Sequence, residues 1–209
     1  MAEVIGLTGQ TGAGKSTVRE LFKAKGAAVI DADAVSHDIV DNDLSCLTDI
    51  VEHFSCIVLN DKGKLNRKAL GRIVFSDPKK LAVLNKIMFP YIVSAIKGKV
   101  TAYEHAGAQM IVIDGATLIE SGCSKMCSVL ISVTAEEETR LTRIIHRDGI
   151  SKRDAVRRVS AQHPEEFYIE ASDYVIKNNG TPGDLEREAE RVLDEIEGKA
   201  KSALTEDKA

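Results

Sequence analysis

The sequence lacks the cysteine and hydrophobic patterns that mark several classes of protein. Its four cysteines, Cys46, Cys56, Cys123 and Cys127, include no CxxC pair and no accompanying pair of histidines, which argues against a zinc site. No apolar run approaches the roughly 20 residues that a membrane-spanning helix needs. Residues 1–7 have neither the basic region nor the long apolar stretch of a secretory signal. We therefore expect reduced thiols, a cytoplasmic location and no membrane partner.

An excess of one charge is also missing. The 209 residues contain 28 Lys and Arg against 32 Asp and Glu, a net charge of −4, so the overall balance gives no sign of nucleic-acid binding. The chain is 44% hydrophobic and 29% charged, as is ordinary for a globular domain. Its length favours a single domain, which we expect to be a monomer.

Short apolar runs alternate with helical patterns along the chain. Three Ile/Val-rich runs show no polar alternation, as expected of strands that are covered on both faces. The alternation predicts an α/β protein with a five-stranded parallel sheet between two layers of helices. The predicted strands are residues 3–8, 27–31, 110–114, 129–133 and 174–177.

Nearly 80 residues between the second and third predicted strands contain no clear strand. Residues 44–54 and 67–75 have helical patterns, and Ser76-Asp77-Pro78 is typical of the start of a further helix. Pro90 is expected to kink or divide that helix. The segment is too long for a simple crossover, so we interpret it as a helical insertion that overhangs one end of the sheet and covers a ligand. A larger helical layer is the alternative.

Residues 9–16 (GQTGAGKS) match the phosphate-loop pattern G-x-x-x-x-G-K-[ST], with a predicted strand before them and a helix after them. The glycines let the backbone close around a phosphate, and successive N–H groups with the helix N-terminus then point at the anion. Lys15 would reach the β- and γ-phosphates, Ser16 would offer its hydroxyl to Mg²⁺, and Thr17 could contact the α-phosphate. The motif predicts a nucleoside triphosphate site.

The chain lacks the other elements of several phosphate-loop families. It contains no DxxG sequence, and its one Asn-Lys pair, Asn85-Lys86, is not followed by an aspartate at the fourth position, which argues against a GTPase switch. The chain is too short for most motor or transporter modules. A small kinase remains.

Carboxylates follow two of the predicted strands. Because ligands bind beyond the carboxyl ends of parallel strands, Asp33 should lie beside the phosphate loop, where it could accept the proton of an acceptor hydroxyl. Asp31 could hold Mg²⁺ through water, or the Asp pair could cap the next helix at Ala34. Asp114 is placed like a Walker-B carboxylate, although a simple turn with Gly115 is the alternative.

A strongly basic segment lies in the second half of the chain. Residues 139–163 hold seven Lys or Arg and two Asp, a local charge of +5. Arg140, Arg143 and Arg147 share one helix face, and Asp148-Gly149 turns the chain into a second helix. Such a hairpin could close over the phosphates as a lid, excluding water and placing arginines on the transferring group. A solvated charged face is the alternative, and nucleic-acid binding is disfavoured because no aromatic residues interleave.

Several motifs taken in order resemble the dephospho-coenzyme A kinase family. The resemblance runs from Ile5 to about Leu193. The most specific pieces follow the phosphate loop, since that loop is shared by many families. These pieces are VIDADAV at 29–35, NRKALGRIVFSDP at 66–78 and DYVIKNNG at 173–180, beside IGLTGQTGAGKST at 5–17, VEHF at 51–54, RDGIS at 147–151 and AQ at 161–162.

The resemblance implies ATP-dependent phosphorylation of the ribose 3′-hydroxyl of dephospho-CoA, with Mg²⁺ held by Ser16. Asp33 matches the general base, Lys15 belongs to the catalytic set, and the lid would contribute Arg143 and Arg147. The ATP-binding residues would be Gly12, Ala13, Gly14, Lys15, Ser16 and Thr17. Two other functions stay open: another small-molecule P-loop kinase with a nucleoside, nucleotide or sugar-acid acceptor, and a protein that senses ATP without catalysis.

The resemblance also implies a division of the chain within a P-loop NTPase-like three-layer fold. The core would be 1–34, 107–138 and 170–200, the acceptor-binding insertion 35–106, the lid 139–165, and a frayed tail 198–209.

Three positions depart from the family pattern. Phe89 stands before Pro90 where the family commonly has His-Pro. The Pro-Leu-Leu-x-Glu run after the third strand is here residues 116–120 (ATLIE), which keep Leu118 and Glu120. Tyr168 stands where an arginine near the lid is usual, which bears on how the lid arginines share their work.

Overall fold

The computed structural model describes residues 2–206, with side chains as far as residue 199. Five strands form one parallel sheet, which confirms the predicted α/β fold. The strands are β1 (Glu3–Gly9), β2 (Ala28–Asp31), β3 (Met110–Asp114), β4 (Val129–Thr134) and β5 (Tyr174–Lys177). Their order is β2-β3-β1-β4-β5, so β1 is the central strand and the phosphate loop leaves the middle of the sheet.

Both faces of the sheet are covered, because alternate side chains of its inner strands enter two separate cores. Ile111 and Ile113 belong to one core, whereas Val112 belongs to the other. The second core includes helices α1 (Lys15–Ala24) and α10 (Pro182–Glu206). The first includes the helices that follow β2. These are α2 (Ala32–Asn42), α3 (Leu44–Phe54), α4 (Arg67–Val74) and α5 (Pro78–His105).

Helix α5 begins where it was predicted to begin, and Pro90 does not divide it. It starts at Pro78 with Asp77 as its N-cap and runs through Pro90 without a break. Met88 and Ile92, on either side of the proline, are buried against the neighbouring helices, and this packing supports the helix where one backbone hydrogen bond is lost. Of the helices described, α5 is the one whose length and apolar composition would allow it to cross a membrane.

The basic segment forms a helical hairpin, as predicted. Helices α7 (Glu137–Asp148) and α8 (Lys152–Ser160) are joined through Gly149, which has a φ of 62°. Ile144, Ala155 and Val159 form a small core of their own between the two helices. The two helices of the hairpin are therefore packed against each other.

Two short helices and the end of α10 complete the description. Helix α6 is Leu118–Ser121 and helix α9 is Glu165–Ala171. Helix α10 continues to Glu206, within the tail predicted to fray from residue 198, and residues 207–209 lie outside the described part of the chain.

Candidate active site

The phosphate loop joins β1 to α1 at the centre of the sheet. Gly12 and Gly14 have φ values of 80° and 100°, which side chains rarely adopt, and Gly14 is the N-cap of α1. Among the described side chains none caps this helix, so no side-chain acceptor occupies its first N–H groups. This is the geometry of an anion site at a helix start.

Asn178, at the end of β5, supports the loop from below. It is buried, and its Nδ2 donates to the carbonyl oxygen of Ala13 at 2.7 Å. A Cβ on Gly14 would collide with the same amide, so the close approach requires glycine there. Sequence reasoning noticed this asparagine only as part of a motif and assigned it no role.

A cavity of about 530 Å³ opens above the loop. Of the predicted ATP-binding residues, Gly12, Gly14, Lys15 and Ser16 line it. Ala13 is instead buried in the core, and Thr17 is exposed. The other charged and polar residues of the wall come from the loop itself, strand ends, α1, α2 and the basic segment. They are Gln10, Thr11, Arg19, Asp31, Asp33, Asp114, Arg143, His146, Arg147 and Gln162.

Asp114 lies at the end of β3 and is 4% exposed. Lys15 forms an ion pair with its Oδ1, and the Arg19 guanidinium lies 3.1 Å from its Oδ2. Asp31 caps α2 by accepting the N–H of Ala34 at 2.9 Å. Of the two roles left open for Asp31, the structure therefore shows capping, and Asp114 has the buried, cation-facing position of a Walker-B carboxylate.

Asp33 lies on the first turn of α2 and lines two cavities at once, the one above the phosphate loop and a second one beside it. Although solvent in the cleft reaches this side chain, the protein around it raises the pKa of its carboxyl by desolvation. Lys15 and His37 oppose that shift, while repulsion from Asp31 and Asp114 adds to it. A carboxylate with a raised pKa is suited to accept a proton.

The second cavity has a volume of about 320 Å³ and lies against the helical insertion. Its wall is mainly apolar and includes Phe89 and Leu118, two positions noted above for the family pattern. Arg67, which is paired with Asp41, adds a cationic group to this wall. This cavity can take a partly apolar molecule that also carries negative charge.

The three arginines of α7 that were predicted to share one face have different contacts. Arg143 lies over the loop, with Nη1 3.4 Å from the Gly12 carbonyl oxygen. Arg147 lines the cavity rim and is paired with its neighbour Asp148. Arg140 instead is buried and donates from Nε to the Ala135 carbonyl oxygen at 3.0 Å. Its role is to anchor α7.

The residues that follow α8 contact the phosphate loop. Gln162 Oε1 accepts the N–H of Thr11 at 2.8 Å, and Gln10 Nε2 donates to the His163 carbonyl oxygen at 2.9 Å. Glu120, one of the residues kept from the family pattern, lies 3.5 Å from His163 Nε2. These contacts were not predicted. The two hydrogen bonds to the loop join residues 151 and 153 positions apart, and neither has a local sequence signal.

Tyr168, at the position where the family usually has an arginine, is 2% exposed. Burial, with a smaller contribution from Glu120, raises its pKa to about 12. The side chain packs edge-on against Phe167, and is therefore a neutral part of the core behind the site.

Several known proteins are similar to this chain in sequence and in architecture. The family model described as dephospho-CoA kinase matches residues 3–184. The dephospho-CoA kinase of Arabidopsis thaliana is 40% identical over 193 residues, which cover 92% of this chain and 83% of that protein. A solved Thermus thermophilus protein aligns with a TM-score of 0.77 at 32% identity, over 93% of this chain and 98% of its own. The dephospho-CoA kinase from Campylobacter jejuni aligns with a TM-score of 0.68 at 28% identity, over 94% and 98%. The chain belongs to the dephospho-CoA kinase family.

Proposed function

We propose that this protein transfers the γ-phosphoryl group of ATP to the ribose 3′-hydroxyl of dephospho-CoA, giving coenzyme A and ADP in the last step of coenzyme A synthesis. The observation that carries the proposal is the position of Asp33 on the wall shared by the two cavities. The cavity above the phosphate loop has groups suited to a nucleoside triphosphate. The other is apolar with a cationic edge, as suits a pantetheine arm joined to a diphosphate.

In the proposed reaction the 3′-oxygen attacks the γ-phosphorus in line. As the new P–O bond forms, the bond to the β,γ-bridging oxygen breaks and ADP leaves with that electron pair. Asp33 orients the hydroxyl and accepts its proton. Lys15 turns from Asp114 to the β- and γ-phosphates, and Arg143 and Arg147 stabilise the charge on the transferred group.

The proposed nucleotide substrate carries Mg²⁺, which supplies charge neutralisation at the phosphates. The wall fits such an ion. Ser16 offers a hydroxyl at the start of α1, and Asp114 presents a buried carboxylate that already faces cations. Among the side chains of residues 2–199, no group of three or more His, Cys, Asp or Glu could hold a metal ion. Such sparse protein ligands suit Mg²⁺, which keeps several waters and binds largely through substrate phosphates.

The lid would keep water from the γ-phosphate. Because α7 and α8 share a core of their own, the hairpin can move toward the loop without unfolding. Transfer to water would otherwise compete with transfer to the acceptor.

The test is the mass of the product formed from ATP and dephospho-CoA, together with ADP release measured across acceptors. We expect a mass increase of one phosphoryl group and fastest ADP release with dephospho-CoA. Faster release with a nucleoside, a nucleotide or a sugar acid would assign a different acceptor. Stabilisation by ATP with no phosphorylated product would indicate a nucleotide sensor instead.

We further propose that the protein works as a monomer in the cytoplasm without a nucleic-acid or membrane partner. One chain forms both cavities, and the four cysteines are free thiols, as is typical of a reducing compartment. Light scattering of the purified protein tests the monomeric state, and fractionation of cells tests the cytoplasmic location.

A further inference from the structure

Arg19 joins the ends of two neighbouring strands, and neither a motif nor its spacing indicates that role. It lies on α1, and its Nη1 is 3.1 Å from Asp114 Oδ2 and 3.4 Å from Asp31 Oδ2. The rest of the guanidinium faces Glu20, whose Oε1 lies 3.0 Å from Nε and 2.8 Å from Nη2. Arg19 also lines the cavity above the phosphate loop.

The two aspartates reach Arg19 because of the strand register. Asp31 and Asp114 are paired positions on the parallel strands β2 and β3, so their carboxylates leave the sheet at the same edge. Protein groups contact all four of their oxygens. Lys15 and Arg19 contact those of Asp114, and the Ala34 N–H and Arg19 contact those of Asp31.

A guanidinium is well suited to this position. It stays charged at any pH at which the protein folds, and its flat fork of donors can serve two carboxylates together. Buried Asp114 needs such a partner, because an ionised carboxylate away from water is costly unless it is paired. A divalent cation that binds near the same carboxylate oxygens would be repelled by the positive charge of Arg19.

We infer that Arg19 and Mg²⁺ compete for the oxygens of Asp31 and Asp114, so that Arg19 sets how strongly nucleotide binding depends on Mg²⁺. This deepens the proposed function, since it rests on the use of a Mg²⁺-bound nucleotide. Glu20 gives the guanidinium a second partner on its own helix. Arg19 can therefore leave the two aspartates for Glu20 when the metal ion binds.

The experiment measures ADP affinity by calorimetry in EDTA and in excess Mg²⁺. The quantity compared is the dissociation constant in EDTA divided by the dissociation constant in Mg²⁺, so a larger ratio means a stronger effect of Mg²⁺. Removing a positive charge close to the metal should strengthen the effect of Mg²⁺, and we expect Arg19→Gln to raise the ratio roughly tenfold, the size of a charge interaction over several ångströms through water. Arg19→Lys keeps the charge and should stay near the wild-type ratio. Lys23→Gln, which removes one exposed charge from the same helix, is the matched control and should leave the ratio unchanged.

Glu20→Gln gives a test of opposite sign at an exposed position, which does not depend on the folding of Arg19→Gln. Without its second partner Arg19 should stay with the aspartates, and the Mg²⁺ effect on ADP binding should fall. An unchanged or lower ratio in Arg19→Gln, or an equal rise in Arg19→Lys or Lys23→Gln, would overturn the inference. Since ADP binding needs no acceptor, these results are independent of whether dephospho-CoA is phosphorylated.

Discussion

The side-chain oxygen of Gln162 accepts a hydrogen bond from the backbone N–H of Thr11 at 2.8 Å. This bond joins the segment after α8 to the phosphate loop. A second bond runs the opposite way, from Gln10 Nε2 to the His163 carbonyl oxygen. Arg143, on the other arm of the lid, contacts the loop at Gly12. The phosphate loop therefore contacts the predicted lid at two places. We expect the conformation of the loop to depend on the position of the lid.

This coupling predicts that Gln162→Ala weakens ATP binding. The Thr11 N–H would lose its acceptor, and the phosphate loop would lose one of its fixed points. Leaving one partly buried donor without a partner costs about 1–3 kcal/mol, so we expect the KM for ATP to rise roughly tenfold. Gln109→Ala, an exposed glutamine far along the chain, is the matched control. An unchanged KM in Gln162→Ala would show that the bond does not shape the loop.

Much of the fold was predictable because its signals are local. The apolar runs of β3 and β5 gave the observed boundaries, and the phosphate loop identified itself by glycine and lysine spacing. Local preference alone did not decide between a kink and a division at Pro90. The helix is not divided there, and Met88 and Ile92 pack in the core on either side of the proline.

The site was less predictable, because its contacts join distant parts of the chain. Spacing put Arg140 on the same face as Arg143 and Arg147, but only the fold turns Arg140 back to the Ala135 carbonyl. No sequence motif indicated a role for Arg19, since this residue is on α1 and its two aspartate partners are on β2 and β3. The location of Asp33 beside the phosphate loop was predictable, because the carboxyl ends of parallel strands meet at one edge of the sheet.

Asp33→Asn tests the proposed proton acceptor. The amide keeps the size of the side chain but cannot take a proton, and general-base catalysis typically contributes 10²–10⁴-fold. We expect kcat to fall by about 100-fold or more, while ADP affinity measured by calorimetry changes little. Asp38→Asn, an exposed position on the same helix, should keep the wild-type rate. A normal kcat in Asp33→Asn would remove the residue from the mechanism.

The pH dependence of the reaction should report the raised pKa of Asp33. The base works only when ionised, so kcat/KM should fall as the pH drops through this pKa, at a higher pH than for an ordinary aspartate. Asp31 repels the ionised form, and Asp31→Asn should therefore lower the pKa and move the acid limb to lower pH. Asparagine still caps α2, which limits other effects.

The measurement is a pH profile of kcat/KM for wild type, Asp31→Asn and the control Asp38→Asn. A shift of the acid limb to higher pH in Asp31→Asn, or the same shift in both variants, would contradict the assignment of this limb to Asp33.

Arg147 is expected to act on the transferring phosphoryl group, although here it is paired with Asp148 at the cavity rim. Because Arg147 would reach the γ-phosphate only when the lid closes, Arg147→Gln should lower kcat with little effect on ADP affinity. Loss of one such donor typically costs about 100-fold in rate. Arg153→Gln removes the same charge from an exposed site on α8 and should change neither quantity. Weaker ADP binding with normal kcat in Arg147→Gln would mean that the arginine holds the nucleotide rather than the group being transferred.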